Sequence, residues 1–152
     1  MTVAFPLRLL AAGLLLAAGA HAQAKTCALT ISANDQMQFD QAELKVAGDC
    51  KTVELTLKHS GKLSAAAMGH NWVLTETSAM RSVALAGMNA GAAAHYVKAG
   101  DERVLAATEV IGGGASTKIS FSTDKLKKGG DYSYFCSFPG HWSIMKGKLV
   151  FG

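Results

Sequence analysis

Residues 25–152 predict an all-β domain, built as a β-sandwich or a Greek-key barrel. Short stretches of this region alternate apolar and polar residues, as half-buried strands do. Glycine-containing turn signals separate these stretches, and only one interval, rich in alanine, has the spacing of a helix. Many short strands broken by such turns are typical of all-β sandwiches and barrels.

The first 24 residues have the features of a cleaved signal peptide. Arg8 precedes an apolar run at 9–18, and Ala22-Gln23-Ala24 offers the small residues of a cleavage site. An uncleaved membrane anchor is the alternative, but the apolar run is too short to span a bilayer unaided. We therefore expect export and cleavage after Ala24, which leaves residues 25–152 as a single domain.

The charge of the chain is only mildly positive. It has 15 Lys and Arg against 11 Asp and Glu, a net charge of +4. Removal of Arg8 with the signal peptide leaves 14 against 11, a net charge of +3. This balance does not indicate nucleic acid or an anionic membrane as a partner. There is no internal repeat or linker, and we expect a monomer.

Strand candidates follow one another along this region. The clearest alternation is at Val53, Leu55 and Leu57, whose neighbours are polar. The end of the chain alternates in the same way and predicts a core strand. The remaining candidates have the same pattern over shorter spans and comprise 29–31, 37–39, 44–46, 72–74, 119–121, 132–134 and 149–151.

Residues 77–96 interrupt the strand pattern. This interval is rich in alanine, and its larger apolar residues recur at helical spacing. Thr77 or Ser78 is a candidate N-cap, and Gly87 and Gly91 leave the end of the helix open. We expect a short helix inserted between strands as a flap.

Three cysteines remain to be explained. In an exported protein two of them are expected to pair, which leaves one over. Cys27 and Cys50 lie at the two ends of the first stretch of the domain, a natural place for a disulfide. Cys136 is then the odd thiol. Buried inert packing is the simplest explanation of a lone cysteine, but the sequence around Cys136 favours a metal ligand.

The most informative segment places a thiol, an imidazole and a thioether on one loop, with the spacing Cys136-x4-His141-x3-Met145. Taken singly, Met145 is explained by core packing and His141 by a surface position. Pro139-Gly140, however, bends the chain tightly between Cys136 and His141, which binding of both to one metal requires. His70 is available as a second imidazole.

A thiolate and two imidazoles in a plane, with a weak axial thioether, form the ligand set of blue-copper electron-transfer sites. Zinc is the competing metal, because one Cys and two His also bind it. A thioether is a poor ligand for zinc and a good one for copper, so Met145 favours copper. We therefore predict one copper ion held by His70, Cys136, His141 and Met145.

Enzymatic alternatives find no support in the sequence. Gly112-Gly113-Gly114 is not followed by Lys and Ser or Thr, as a phosphate-binding loop requires. There is no Gly-x-Ser-x-Gly or His-Glu-x-x-His segment. Four protein ligands leave no open position for a substrate, so we expect no enzymatic activity.

Beyond these features, nearly all of residues 25–152 closely resembles the azurins, small bacterial blue-copper proteins of the cupredoxin family. The resemblance is carried by 34–39 (Asn-Asp-Gln-Met-Gln-Phe), 68–74 (Met-Gly-His-Asn-Trp-Val-Leu), 135–141 (Phe-Cys-x-Phe-Pro-Gly-His) and Met145-Lys-Gly147. It implies an eight-stranded Greek-key β-sandwich with a helical flap, one type 1 copper and a periplasmic electron-carrying role. A Cys27–Cys50 disulfide also agrees with the family.

The resemblance implies roles for individual residues. The ligand positions map onto His70, Cys136 and His141 in the equatorial plane, Met145 on the axis, and the carbonyl of Gly69 on the opposite side. Asn71 and the backbone N–H of Phe138 match groups that hydrogen-bond the cysteine sulfur and tune its potential. His59 matches a histidine near the metal that titrates, so we expect a modest coupling of its protonation to the redox state. His95 is expected to be a polar loop residue without a role.

Partner docking is expected around an exposed His141. The matching apolar patch comprises Met37, Leu63, Met68, Met88, Phe138 and Pro139. For Met37 and Met88, core packing is the alternative. Trp142 follows His141 directly, at a position where the resemblance to the azurins leads us to expect a small residue. The indole either enlarges this patch or covers part of it. A small apolar interface suits brief redox encounters.

The sequence thus predicts a periplasmic carrier that passes one electron between redox proteins, such as c-type cytochromes or a periplasmic reductase or dehydrogenase. A copper storage or delivery protein is the main alternative. A third is an interaction module in which copper is incidental.

Overall fold

The computed structural model describes Met1 and residues 24–152. The predicted signal peptide, residues 1–24, therefore lies almost entirely outside the described residues. Within the described part of the chain, no helix is both long and apolar enough to cross a membrane. The elements are β1 (Thr26–Ala33), β2 (Glu43–Val46), β3 (Thr52–His59), α1 (Ala65–Met68), β4 (Val73–Glu76), α2 (Met80–Ala90), β5 (Ala106–Ala107), β6 (Ser116–Ser122), β7 (Tyr132–Phe135) and β8 (Lys146–Phe151).

The eight strands form two sheets. In the first, the order is β1-β3-β6, with β1 parallel and β6 antiparallel to β3. In the second, the order is β2-β8-β7-β4-β5, and only β2 and β8 run parallel. One buried apolar cluster contains side chains of both sheets, so the sheets pack against each other. The predicted all-β sandwich with about eight strands is confirmed.

The alternation in the sequence decides which side chains enter this core. Val53, Leu55 and Leu57 of β3 are all fully buried, and the polar residues between them face outward. The four residues of β7 are all buried, because α2 covers the outer face of the second sheet there. Val73 of β4 and Phe135 of β7 lie opposite each other and contact the helix.

The predicted flap is present but shorter than 77–96. A 3₁₀ turn (Thr77–Ala79) leads into α2, and a second one (Ala92–Ala94) follows it. Neither Thr77 nor Ser78 is the N-cap of α2; that position is Ala79, without a side-chain hydrogen bond. The hydroxyl of Thr77 bonds Asp131 instead. The helix ends at Ala90 and is followed by Gly91, whose φ of 77° suits glycine.

One strand prediction was wrong. Residues 37–39 form no strand: Met37, with a φ of 56°, ends a turn that begins at Asn34, and only Phe39 makes a single bridge, to Ala33. The cause is the side chain of Asn34, whose Oδ1 accepts hydrogen bonds from the N–H groups of Gln36 and Gln38. The predicted Cys27–Cys50 disulfide is confirmed, with Cα atoms 5.9 Å apart.

Candidate metal centre

Three side chains from two distant segments converge at one end of the sandwich. The ligand atoms of His70, Cys136 and His141 all lie within 4.8 Å of one another. The Cys136 Sγ is 3.7 Å from Nδ1 of His70 and 3.5 Å from Nδ1 of His141. All three side chains are buried, with at most 3% exposure. A thiol and two imidazole nitrogens therefore face one another in an enclosed space.

The loop between β7 and β8 is held closed by its own backbone. Cys136 directly follows β7, and its N–H donates to the carbonyl of Met145, at 3.0 Å. The N–H of Met145 donates to the carbonyl of His141, at 2.8 Å. Gly140 has a φ of 83°, which permits the tight turn before His141. Met145 is buried, with 1% exposure, where the loop enters β8.

The ring of His70 is oriented by its far nitrogen. Nε2 lies 2.8 Å from the carbonyl oxygen of Asn34. Because a carbonyl only accepts, Nε2 carries the proton, and the lone pair of Nδ1 points towards the sulfur. The backbone of His70 is fixed as well, through two hydrogen bonds with Ile111 of 3.0 and 2.9 Å. A carbonyl that orients the far nitrogen is the usual partner of a metal-binding imidazole.

Burial determines the protonation of these groups. It raises the pKa of the Cys136 thiol to about 12, even though the backbone N–H groups of Asn71 and Phe138 act in the opposite direction. It lowers the pKa of His70 to about 4 and also lowers the pKa of His141. In the metal-free protein at neutral pH, the site therefore holds a neutral thiol and two neutral imidazoles. A metal must displace the thiol proton when it binds.

The donor set fits copper. His70, Cys136 and His141 offer two imidazole nitrogens and one sulfur, and Met145 adds a thioether from the same loop. Soft sulfur and imidazole ligands suit both common states of copper. Among the described residues, this is the one cluster of three or more His, Cys, Asp or Glu side chains with such spacing. These four residues are positioned to bind one copper ion.

Three further predicted residues adjoin the sulfur. The backbone N–H groups of Asn71 and Phe138 lie close enough to the Cys136 sulfur to lower the pKa of its thiol, against the larger effect of burial. The carbonyl oxygen of Gly69 lies 3.9 Å from the same sulfur. A Cβ at Gly69 would collide with the carbonyl of Ala65 and the side chain of Val110, so glycine lets residue 69 pack against α1. A direct contact of the Gly69 carbonyl with copper stays a prediction.

His59 lies behind the site. It is buried, and its ring stacks on that of His70 with centroids 4.5 Å apart. Nδ1 accepts a hydrogen bond from the N–H of Gly61 at 3.0 Å, so the proton is on Nε2, which bonds the carbonyl of Met68 at 2.9 Å. The nearest carboxylate oxygen, from Asp35, is 3.9 Å from Nε2.

The predicted docking residues differ widely in exposure. Leu63 is 44% exposed and Pro139 is exposed, whereas Met37, Met68, Met88 and Phe138 are half-buried. His141 was expected to be exposed, but it retains only 3% exposure and its ring lies 4.7 Å from that of Phe138. Trp142 is half-buried and packs on the cluster formed by the flap and the second sheet. The indole therefore faces the flap, and a patch shared by these residues stays a prediction.

Sequence reasoning missed several residues that brace the site. The carbonyl of His95 accepts a hydrogen bond from Nδ2 of Asn71, and the ring of Tyr96 packs edge-on against Phe138. Ser137 bonds the side chain of Asn71 from both its N–H and its hydroxyl. His95 lies in a loop, as expected, but its carbonyl and its ring both make hydrogen bonds to residues that border the site. No local pattern marks these contacts, because folding alone brings residues 71, 95 and 137 together.

Comparison with known proteins identifies the family. Residues 25–152 match the family model of copper-binding proteins of the plastocyanin/azurin family. The chain is 54% identical over 126 residues to an azurin from Achromobacter denitrificans, covering 83% of this chain and 85% of the other. It is 53% identical to an azurin from Alcaligenes faecalis, covering 83% and 98%. A solved azurin from Methylomonas sp. strain J superposes with a TM-score of 0.80 at 38% identity, over 83% of this chain and 98% of that one. The chain therefore belongs to the plastocyanin/azurin family of blue-copper proteins.

Proposed function

We propose that this chain is a periplasmic electron carrier that passes one electron between redox proteins. The observation that carries the proposal is that the ligand side chains are buried and fixed by the protein itself. His70 is held by Asn34, and the loop from Cys136 to Met145 is closed by backbone hydrogen bonds between two core strands. Bound copper supplies a centre that alternates between Cu(I) and Cu(II). A rigid ligand set that suits both states needs little rearrangement when an electron arrives or leaves.

Each site residue has a part in this proposal. Cys136 would hold copper through its sulfur at the end of β7, and Met145 would add a thioether, a weaker donor that suits copper. The carbonyl oxygen of Gly69, 3.9 Å from the Cys136 sulfur, would be a further oxygen beside the metal. The backbone N–H groups of Asn71 and Phe138 stabilise the charge on the sulfur and thereby set the potential. His70 is the inner imidazole, and His141 leads towards the surface through Phe138 and Pro139.

Electron exchange would take place at the apolar end around Leu63, Phe138 and Pro139, with Met37, Met68 and Met88 as further members. Small apolar surfaces suit short-lived redox complexes. The partners would be c-type cytochromes or a periplasmic reductase or dehydrogenase. Trp142 contributes to packing of the flap more than to this surface. The protein would act as a monomer and catalyse no reaction of its own.

The location follows from the predicted leader. Cleavage after Ala24 would release a mature protein that starts at Lys25, one residue before β1. Mass spectrometry of protein recovered from a periplasmic extract tests this directly. A mass corresponding to residues 25–152 is expected, and an intact residue 1–24 segment would contradict the proposal.

A storage or delivery protein must release copper, which separates it from an electron carrier. The copper-loaded protein is taken through repeated reduction and oxidation in the presence of a Cu(I) chelator. We expect the visible absorption to return fully in each cycle, because the ligands are enclosed. His141→Ala, which lacks one of the imidazoles, is the control that should lose copper to the chelator on reduction. Loss of copper from the parent protein at the same rate would favour delivery.

A further inference from the structure

Two consecutive residues after the flap have an unusual backbone. His95 has a φ of 51° and Tyr96 a φ of 55°. The left-handed region is uncommon for residues with a side chain, and a pair in sequence is held there only when the surroundings fix it. The contacts of this turn show what fixes it, and they lead to the metal centre.

His95 joins two segments that border the site. Its carbonyl oxygen accepts a hydrogen bond from Nδ2 of Asn71 at 2.9 Å. Its ring nitrogen Nδ1 accepts another from the backbone N–H of Val110 at 3.1 Å. Val110 precedes Ile111, whose backbone makes the two hydrogen bonds that hold His70. His95 therefore contacts both the residue after His70 and the residue before Ile111, which bridges to His70.

Tyr96 joins the flap to the other ligand loop. Its ring packs edge-on against Phe138, with centroids 5.3 Å apart and planes at 75°. On its other side, the carbonyl of Tyr96 lies directly against Gly87 of α2, where a Cβ would collide with it. The side chain thus rests on the ligand loop while the backbone rests on the helix.

These contacts converge on the two residues whose backbone N–H groups act on the Cys136 sulfur. The donors are the backbone N–H groups of Asn71 and Phe138. His95 holds the first of these residues and Tyr96 holds the second. We propose that the His95-Tyr96 turn is a positioning element that sets both N–H donors relative to the sulfur, and so couples the flap to the reduction potential of the site.

The direction of the effect follows from charge. A thiolate that accepts two well-placed N–H groups has part of its negative charge stabilised by them. If the turn is loosened, the thiolate gives more charge to the metal and favours Cu(II), so the potential falls. The expected change in reduction potential rests on the proposed function, because it requires a redox-active copper. The effect on the two N–H groups can be measured without metal.

The test uses two variants that tolerate a left-handed backbone. His95→Gly keeps the carbonyl that accepts from Asn71 but removes the ring that fastens the turn to Val110, so the carbonyl is held less firmly. Tyr96→Asn removes the aromatic contact with Phe138. His95→Asn and Tyr96→Phe are the conservative partners, which keep an acceptor and a ring respectively. Lys98→Ala, at an exposed position nearby, is the matched control.

Amide hydrogen exchange of the metal-free protein is measured first, at Asn71 and Phe138. We expect exchange to be about tenfold faster in His95→Gly at Asn71 and in Tyr96→Asn at Phe138, since local opening becomes easier. His95→Asn, Tyr96→Phe and Lys98→Ala should resemble the parent protein. The copper-loaded His95→Gly and Tyr96→Asn variants should both have a lower reduction potential.

Unchanged exchange at both amides and an unchanged potential, together with a lower unfolding temperature, would overturn the proposal, because the turn would then only fasten the flap. If His95→Gly does not fold, the amide exchange and the reduction potential of Tyr96→Asn test the proposal in its place. If exchange is faster in the variants, but neither the variants nor the parent protein have a reversible copper potential, the positioning role is supported and electron transfer is refuted.

Discussion

Asn71 and Ser137 are joined by two hydrogen bonds that tie the two ligand segments together. The amide Nδ2 of Asn71 donates to the hydroxyl of Ser137, and the backbone N–H of Ser137 donates to Oδ1 of Asn71, both at 2.8 Å. Asn71 follows His70 and Ser137 follows Cys136, and both are buried. The amide therefore fixes the distance between two metal ligands that are far apart in sequence.

Asn71→Leu should be strongly destabilising, because a side chain of similar size leaves the polar groups of Ser137 and the carbonyl of His95 without partners. Each buried polar group left unpaired costs about 1 to 3 kcal/mol, so we expect the free energy of unfolding to fall by about 3 kcal/mol. Ser137→Ala removes only one bond and should cost about 1 kcal/mol. Urea unfolding of the metal-free proteins measures both, and equal losses would contradict the bridging role.

The stability of the metal-free protein should decrease as the pH is lowered from 6.5 towards 4. Burial lowers the pKa of His70 from 6.5 to about 4, so in this range the unfolded chain binds a proton that the folded protein excludes. The stabilisation is fully present above pH 6.5 and is lost as the pH falls, with a total of about 2 to 3 kcal/mol. The lowered pKa of His141 adds in the same direction.

Urea titrations at pH 7, 6, 5 and 4 measure this dependence, and His70→Gln should show a shallower slope. Three carboxylates contribute only at the acid end of this range. The pKa values of Asp35, Asp49 and Asp101 are lowered from 3.8, so most of their contribution to stability is lost below pH 4. A free energy of unfolding that stays constant between pH 6.5 and 4 would show that the imidazoles are not held neutral by burial.

His59→Gln should weaken the pH dependence of the reduction potential. The His59 ring stacks on His70, and its Nδ1 already accepts a hydrogen bond from Gly61. A second proton on the ring must displace that bond and places positive charge next to a ligand, which favours Cu(I). Voltammetry between pH 5 and 8 measures the slope. An identical slope in the parent protein and in His59→Gln would exclude this histidine as the coupled group.

Variants at Trp142 and Leu63 should distinguish a role in packing from a role in partner docking. Trp142 packs on the cluster that joins α2 to the second sheet, whereas Leu63 is 44% exposed. Trp142→Ala should lower the free energy of unfolding by about 2 kcal/mol and change the rate of electron transfer to a c-type cytochrome little. Leu63→Lys should change stability by less than about 0.5 kcal/mol and reduce that rate. The reverse pattern would mean that Trp142 belongs to the docking surface.

The sequence predicted the parts of this structure that depend on local pattern. Val53, Leu55 and Leu57 alternate with polar residues, and they enter the core as that alternation requires. Cys136, His141 and Met145 lie close together in sequence, so a loop that brings them together was predictable. Both the disulfide and the fold class are confirmed.

The features that escaped prediction depend on contacts between distant segments or on very short elements. Residues 37–39 have the composition of a strand, but the hydrogen bonds of the Asn34 side chain keep them out of one. α1 and β5 have four and two residues, too few to show a period. The contact between His95 and Asn71 joins residues 24 positions apart and exists only in the folded chain.

The most direct test of the central claim is the spectrum of the protein with Cu(II). The domain of residues 25–152 is loaded with Cu(II), and its visible absorption and EPR spectra are compared with those of Cys136→Ser. We predict an intense blue thiolate-to-copper band and a narrow hyperfine splitting, both absent from Cys136→Ser. A pale complex with ordinary Cu(II) hyperfine splitting, the same in both proteins, would show that Cys136 does not bind the copper and would contradict the account.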